Sequence, residues 1–209
     1  MNRKLLMPLV YTIGLLSILL IANQSQQAAE VPLVMVSERT SPMTFPGDYH
    51  ETFIHYLPVD RSDETVRLIF INPEALVGLE RGTGLPVGTK ILIEAYQAQQ
   101  NRLGLAQKDG DGHYVPGEML PFIHIAEKRD TWPREAIAAS TTLNGWNFET
   151  FDAQTLLPGN ENRSDCFTCH DSGAFQRDFV FTRTLIDQFI ETQQALYFFC
   201  NRPARASCL

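Results

Sequence analysis

Thr65-Val66-Arg67-Leu68-Ile69-Phe70-Ile71, followed at once by Asn72-Pro73-Glu74, is the stretch that decides the fold. Its β-branched and aromatic residues spell a strand. Asn72 as N-cap, Pro73 at the first helical position and Glu74 in the first turn then predict a helix from Glu74 to about Arg81. Gly82, Gly84, Pro86 and Gly88 close it. A second strand is expected from Thr89 to Gln97, with Ile91, Ile93 and Ala95 on one face and Leu92 on the other. Asp109-Gly110-Asp111-Gly112 reads as a hairpin turn. A calcium loop is excluded there, because its next ligand position falls on His113 and its required glycine on Tyr114. Pro121 to Glu127 is a third apolar strand, Arg134 to Ser140 is helical, Asn144-Gly145 is a turn, and Trp146-Asn147-Phe148 resumes an extended path. From Thr182 to Phe199, the spacing of Leu185, Ile186, Phe189, Ile190, Leu196 and Tyr197 predicts a helix with one buried stripe. Strands mostly in meander order, with two or three helices, place the chain in the α+β class with a mainly antiparallel β sheet.

The 209 residues suffice for one domain with a real core. An apolar share of 44% and a charged share of 20% exclude a disordered tail and a multi-span membrane protein. A net charge of −7 argues against a nucleic-acid binder. Met1-Asn2-Arg3-Lys4 precedes an apolar run from Leu5 to Ala22, and Ala28 and Ala29 follow. Residues 1–29 are therefore expected to be a signal peptide, with an N-terminal membrane anchor as the other reading. Either puts the folded part outside the cytoplasm, in the periplasm or an equivalent compartment. Losing residues 1–29 would remove Arg3 and Lys4 and leave 15 − 24 = −9. Residues 30–50, with Pro32, Pro42 and Pro46, read as a linker or irregular lead-in, 51–199 as the domain, and 200–209 as a C-terminal tail. Cys200 and Cys208 would close a short loop if oxidised.

Chemistry concentrates at Cys166-Phe167-Thr168-Cys169-His170. Two thiols at this spacing add to the two vinyl groups of one haem, and the adjacent histidine reaches the iron. Zinc would need a second close pair of ligands, which Cys200 and Cys208 do not make. A thioredoxin-like pair would open a helix after a strand of a βαβ unit, whereas this one follows the polar loop from Pro158 to Asp165. A plain disulfide is the remaining rival. The reading is therefore haem c, covalently bound through Cys166 and Cys169, with iron on His170. Only 39 residues follow His170, and none is Met or His. Met119, His124 and His113 lie upstream. The small all-helical carrier plan, with a methionine downstream, does not fit, and the sixth position is expected to be open to a small ligand. The alternative is an electron-transfer cytochrome that takes its sixth ligand from upstream.

Five blocks carry a resemblance to the cytochrome P460 family, which includes cytochrome c-prime-beta. They are Val59-Asp60-Arg61 through Val66-Arg67 into Ile71-Asn72-Pro73-Glu74-Ala75-Leu76, then Leu85-Pro86-Val87-Gly88-Thr89, then Glu127-Lys128-Arg129. Gly145-Trp146-Asn147-Phe148-Glu149-Thr150-Phe151 follows, and last the Cys166 motif with Asp178-Phe179-Val180-Phe181-Thr182. The resemblance implies a mainly antiparallel fold, often dimeric, with His170 as proximal ligand and no protein ligand on the distal side. It implies oxidation of hydroxylamine or nitric oxide, or binding of nitric oxide or carbon monoxide. In the hydroxylamine-oxidising branch a lysine cross-links to the haem; Ile93 stands at that position here, and Lys90, three residues earlier, belongs to the other face of the strand. That departure points to a gas-binding or unassigned branch. His124 falls near the position of a functional acid, with an edge or core histidine as the plainer reading. Arg67 matches a family arginine that would donate to a distal ligand or a haem propionate, or make a surface salt bridge. Phe53, Phe70, Phe122 and Phe148 are candidates for an apolar distal wall, or core residues. The acidic surface suits a basic redox partner protein.

Overall fold

The computed structural model describes residues 41–133 and 143–202. Among them, seven strands form one sheet: β1 (Ile54–Arg61), β2 (Thr65–Ile71), β3 (Lys90–Ala98), β4 (Pro116–Met119), β5 (Phe122–Lys128), β6 (Trp146–Asp152) and β7 (Phe198–Cys200). Their order is β6-β5-β3-β2-β1-β7, and β4 pairs with β3 off that path. Every pairing is antiparallel except that of β7 with β1. Three helices accompany the sheet: α1 (Tyr49–Thr52), α2 (Arg163–Ala174) and α3 (Arg183–Thr192). The fold is α+β with a mainly antiparallel sheet.

Strand alternation sorts the side chains into two cores. Leu57, Ile69, Ile71, Ile91, Phe148 and Phe167 belong to one cluster, which α2 and α3 cover. Phe70, Leu92, Ile123, Ile125 and Phe151 form the other. Met43 and Tyr49, both 4% exposed, close this second cluster from the lead-in segment.

The helix expected from Glu74 to Arg81 is a single 3-10 turn, Pro73–Leu76. Asn72 does not cap it. Its Oδ1 accepts from the Lys90 backbone at 2.6 Å and its Nδ2 donates to the Gly88 carbonyl at 3.1 Å, so it ties the turn to the start of β3 instead. The chain then leaves through extended Val77 and left-handed Gly78 (φ 67°). The helix expected from Thr182 to Phe199 also shortens. It ends at Thr192, where Gln193 turns left-handed and donates its N–H to Phe189. Phe198 and Phe199, good strand formers, pair with Val59 and Asp60 of β1.

The Asn144-Gly145 turn forms as its residues demand. Both are left-handed (φ 49° and 86°), the two-residue geometry that suits a right-twisted hairpin, and Leu143 bridges to Trp146. At Asp109 the side chain accepts from the backbones of Asp111 and His113, both at 2.9 Å, and the loop closes as a turn. Residues 1–29, most of 30–50, the helix expected from Arg134 to Ser140, and Cys208 lie outside the described residues; Cys200 is disulfide-bonded. Among the described residues, no helix is long and apolar enough to cross a membrane.

Candidate haem-binding site

The Cys-x-x-Cys-His run lies on α2. Asn162 caps this helix by accepting from the Ser164 N–H at 3.2 Å. Cys166 stands three residues before Cys169 and four before His170, so all three share one face of the helix. Both cysteines are free thiols. Within the helix only Phe167 and Ala174 are buried, and Phe167 meets Phe148 of β6 edge-on at 5.4 Å.

That face borders a cavity of about 560 Å³ between α2 and the sheet, a size ordinary for a cofactor or small-ligand site. Its wall is mostly apolar, with Val59, Ile69, Ile91, Ile93, Val180 and Phe198 among the lining side chains. Cys166, Cys169 and His170 line one part of it, and Arg61, Arg67 and His124 line others. Cavity-lining residues reach from β6 to β7, five steps of about 4.8 Å, or roughly 24 Å across the sheet.

His170 is held with one nitrogen committed. Its Nδ1 lies 2.6 Å from the Phe179 carbonyl. A carbonyl only accepts, so Nδ1 carries the proton and Nε2 keeps the lone pair. This is the arrangement of a metal-ligating imidazole, whose second nitrogen donates to a backbone carbonyl. The ring stacks on Phe148 (3.9 Å, 26°) and meets Phe181 at 5.0 Å. Burial lowers its pKa, the Phe179 bond opposes that, and His124 lowers it further; the net effect favours the neutral, ligand-competent form. Gly173 makes room for Phe181: a Cβ there would stand 2.5 Å from the Phe181 ring.

Burial, then Glu161 and Glu149, push the Cys166 thiol up to about 11, so it is a thiol at neutral pH. Burial, then the neighbouring Arg61, bring Arg67 down to about 10, which leaves it cationic. The donor set fits a haem: two free thiols, an imidazole with Nε2 available, an apolar wall, and two guanidinium groups suited to propionates.

The family model described as Cytochrome P460 matches residues 46–182, well over half of the chain. The chain belongs to the cytochrome P460 family. Among curated proteins, no sequence is similar enough to count as a match. Cytochrome P460 proteins are haem proteins, and the matched residues include every cavity-lining residue named above except Phe198.

Of the sequence candidates, His124, Arg67 and Ile93 reach the cavity together with the Cys166 motif; Met119 and His113 do not. Met119 packs in the opposite cluster and His113 lies tilted against Tyr197, ring centroids 3.3 Å apart. Ile93 lies directly across from His124 in register, while Lys90 pairs with Glu127 at 3.9 Å and is not a lining residue. Of the four phenylalanines expected on the distal wall, only Phe148 lines the cavity. Phe70 is one residue out of phase with Ile69 and, like Phe53, faces the other core; Phe122 does not line the cavity either. Arg61, Phe181 and Val180 are cavity residues that the sequence reading passed over. All three lay inside stretches that carry the family resemblance, but no spacing rule singled them out.

Proposed function

We propose that the chain is an exported c-type haem protein that binds or converts a small nitrogen ligand. Cys166 and Cys169 would hold the porphyrin by thioethers, and His170 would be the proximal ligand. The observation that carries this reading is the His170 Nδ1 bond to Phe179, beside two free thiols on the same helix face. The apolar segment at the N-terminus supports export to the periplasm, because covalent haem is attached outside the cytoplasm.

When bound, haem supplies an iron that takes small ligands and exchanges electrons. The residues do the rest. Phe179 fixes the tautomer and orientation of His170. Ile69, Ile91 and Ile93 keep part of the cavity apolar and exclude water. His124 offers a side chain that can donate to or accept from a bound guest. Arg61 and Arg67 would hold the propionates.

Nitric oxide, carbon monoxide and hydroxylamine are guests of suitable size. Ile93 in place of a lysine favours gas binding over hydroxylamine oxidation. Homodimerisation and docking of a basic redox partner on the acidic surface belong to the same proposal. The position of His124 in the cavity favours one second reading, an electron carrier with His124 as sixth ligand. Exported protein is denatured and extracted with acidified acetone. Retention of colour and of haem mass on the peptide containing Cys166 and Cys169 supports covalent attachment, and a colourless chain rejects it. A low-spin spectrum that turns high-spin in His124→Leu would favour the carrier reading over an open distal site.

A further inference from the structure

Phe179, whose carbonyl takes the His170 proton, is left-handed (φ 60°), and so is Asp178 before it (φ 53°). Two consecutive non-glycine residues in this region are costly, and a bulky residue such as Phe has little reason to adopt it unless its surroundings impose it. What imposes it here is the Asp178 carboxylate. It receives the Lys128 ammonium at 2.9 and 3.1 Å, the Leu85 N–H at 2.8 Å and the Asn144 Nδ2 at 3.0 Å. These donors come from the loop before β3, the end of β5 and the hairpin before β6. The ion pair is largely buried, with the Lys128 and Asp178 side chains 9% and 8% exposed. Lys128 is itself fixed, its ammonium lying 5.6 Å over the Trp146 ring. The turn is thus anchored on one side to the sheet and offers its carbonyl to the imidazole at 2.6 Å on the other.

We propose that Asp178, clamped by Lys128, is a positioning residue for the proximal histidine. It holds the Phe179 carbonyl on the His170 Nδ1–H and so sets the electron donation of the imidazole to the iron. The proposal rests on the reading of His170 as the proximal ligand. A firm hydrogen bond at Nδ1 raises ligand basicity and stabilises the oxidised metal. Loosening the clamp weakens both effects.

The test uses the full haem-loaded protein and reads the iron–histidine stretching band of the ferrous form together with the reduction potential. Asp178→Asn keeps the size of the side chain and tolerates the left-handed backbone, but loses the charge. Lys128→Met removes the clamp, and Lys128→Arg keeps its charge. The first two are expected to move the band to lower frequency and raise the potential, while Lys128→Arg stays close to the wild type. Ile123→Val, in the core on the other face of the sheet, is expected to lose thermal stability with neither change. If Asp178→Asn does not accumulate, Lys128→Met carries the same test. A wild-type band and potential in both variants overturns the clamp while leaving His170 as ligand. Absence of the band from the wild type overturns the ligand reading, and the clamp falls with it.

Discussion

Replacing Phe167 by alanine tests how the helix bearing the Cys-x-x-Cys-His run is fastened to the sheet. α2 is polar along most of its length, and its only buried residues are Phe167, 8% exposed, and Ala174, 1% exposed. Truncating a buried phenylalanine costs about 3–5 kcal/mol. Of that, the edge contact with Phe148 at 5.4 Å accounts for about 0.5–1.5 kcal/mol. A domain of this size loses about 2–4 °C in Tm per kcal/mol, so a drop of roughly 6–20 °C is expected. The neighbouring Thr168→Ala is the control. Its side chain is exposed and bonds only the Ser164 carbonyl, one turn back, so the change should stay within about 0.5 kcal/mol. The assay is guanidinium unfolding of both variants, followed by circular dichroism. A loss under about 1 kcal/mol for Phe167→Ala, or one equal to that of Thr168→Ala, would refute the claim that this ring docks the helix.

Three further outcomes follow from the same geometry. Asn162→Ala should lose about 1 kcal/mol with the cap, and Asn162→Ser should restore most of it; equal unfolding midpoints for all three would count against the cap. Burial lowers the pKa of His55, against a weaker opposing pull from Glu94, and its buried Nε2 has no hydrogen-bond partner. The folded protein therefore keeps His55 neutral where the unfolded chain gains a proton. Stability should be full above a pH of about 6.5 and fall as pH drops below it. His55→Phe should flatten that fall in urea midpoints taken across this range, and an unchanged slope would exclude His55 as its source. With Ile93 where a cross-linking lysine would stand, hydroxylamine turnover should be weak and no haem–lysine adduct should be seen by mass spectrometry; robust turnover would reverse the assignment.

Strand β2 was legible because five strand formers among seven residues meet an abrupt Asn-Pro stop, and the observed bounds coincide with the reading. The alternation of β3 was legible for the same reason, and it put Ile93 in the cavity and Leu92 in the other core. What failed were inferences in which a local signal competed with a distant partner. Asn72 has every mark of a helix cap, yet its side chain spans to Lys90 and Gly88, which no local rule foresees. The apolar stripe past Thr192 contributes a strand edge to β1 rather than more helix. At the site, Cys166, Cys169 and His170 were readable because the motif is local and its residues are rare. Phe181 was not singled out, because its place depends on the absent side chain of Gly173. The Asp178 cluster joins residues 93 and 50 positions apart, and nothing short of the fold brings Leu85, Lys128 and Asp178 together.

A haem iron held by His170 with its other side free is what the proposed function requires. The optical spectrum of the dithionite-reduced protein, before and after carbon monoxide, addresses this most directly. A high-spin five-coordinate spectrum that converts to a carbon monoxide adduct, and disappears in His170→Ala, is the predicted result. A six-coordinate low-spin spectrum that carbon monoxide leaves untouched would contradict it.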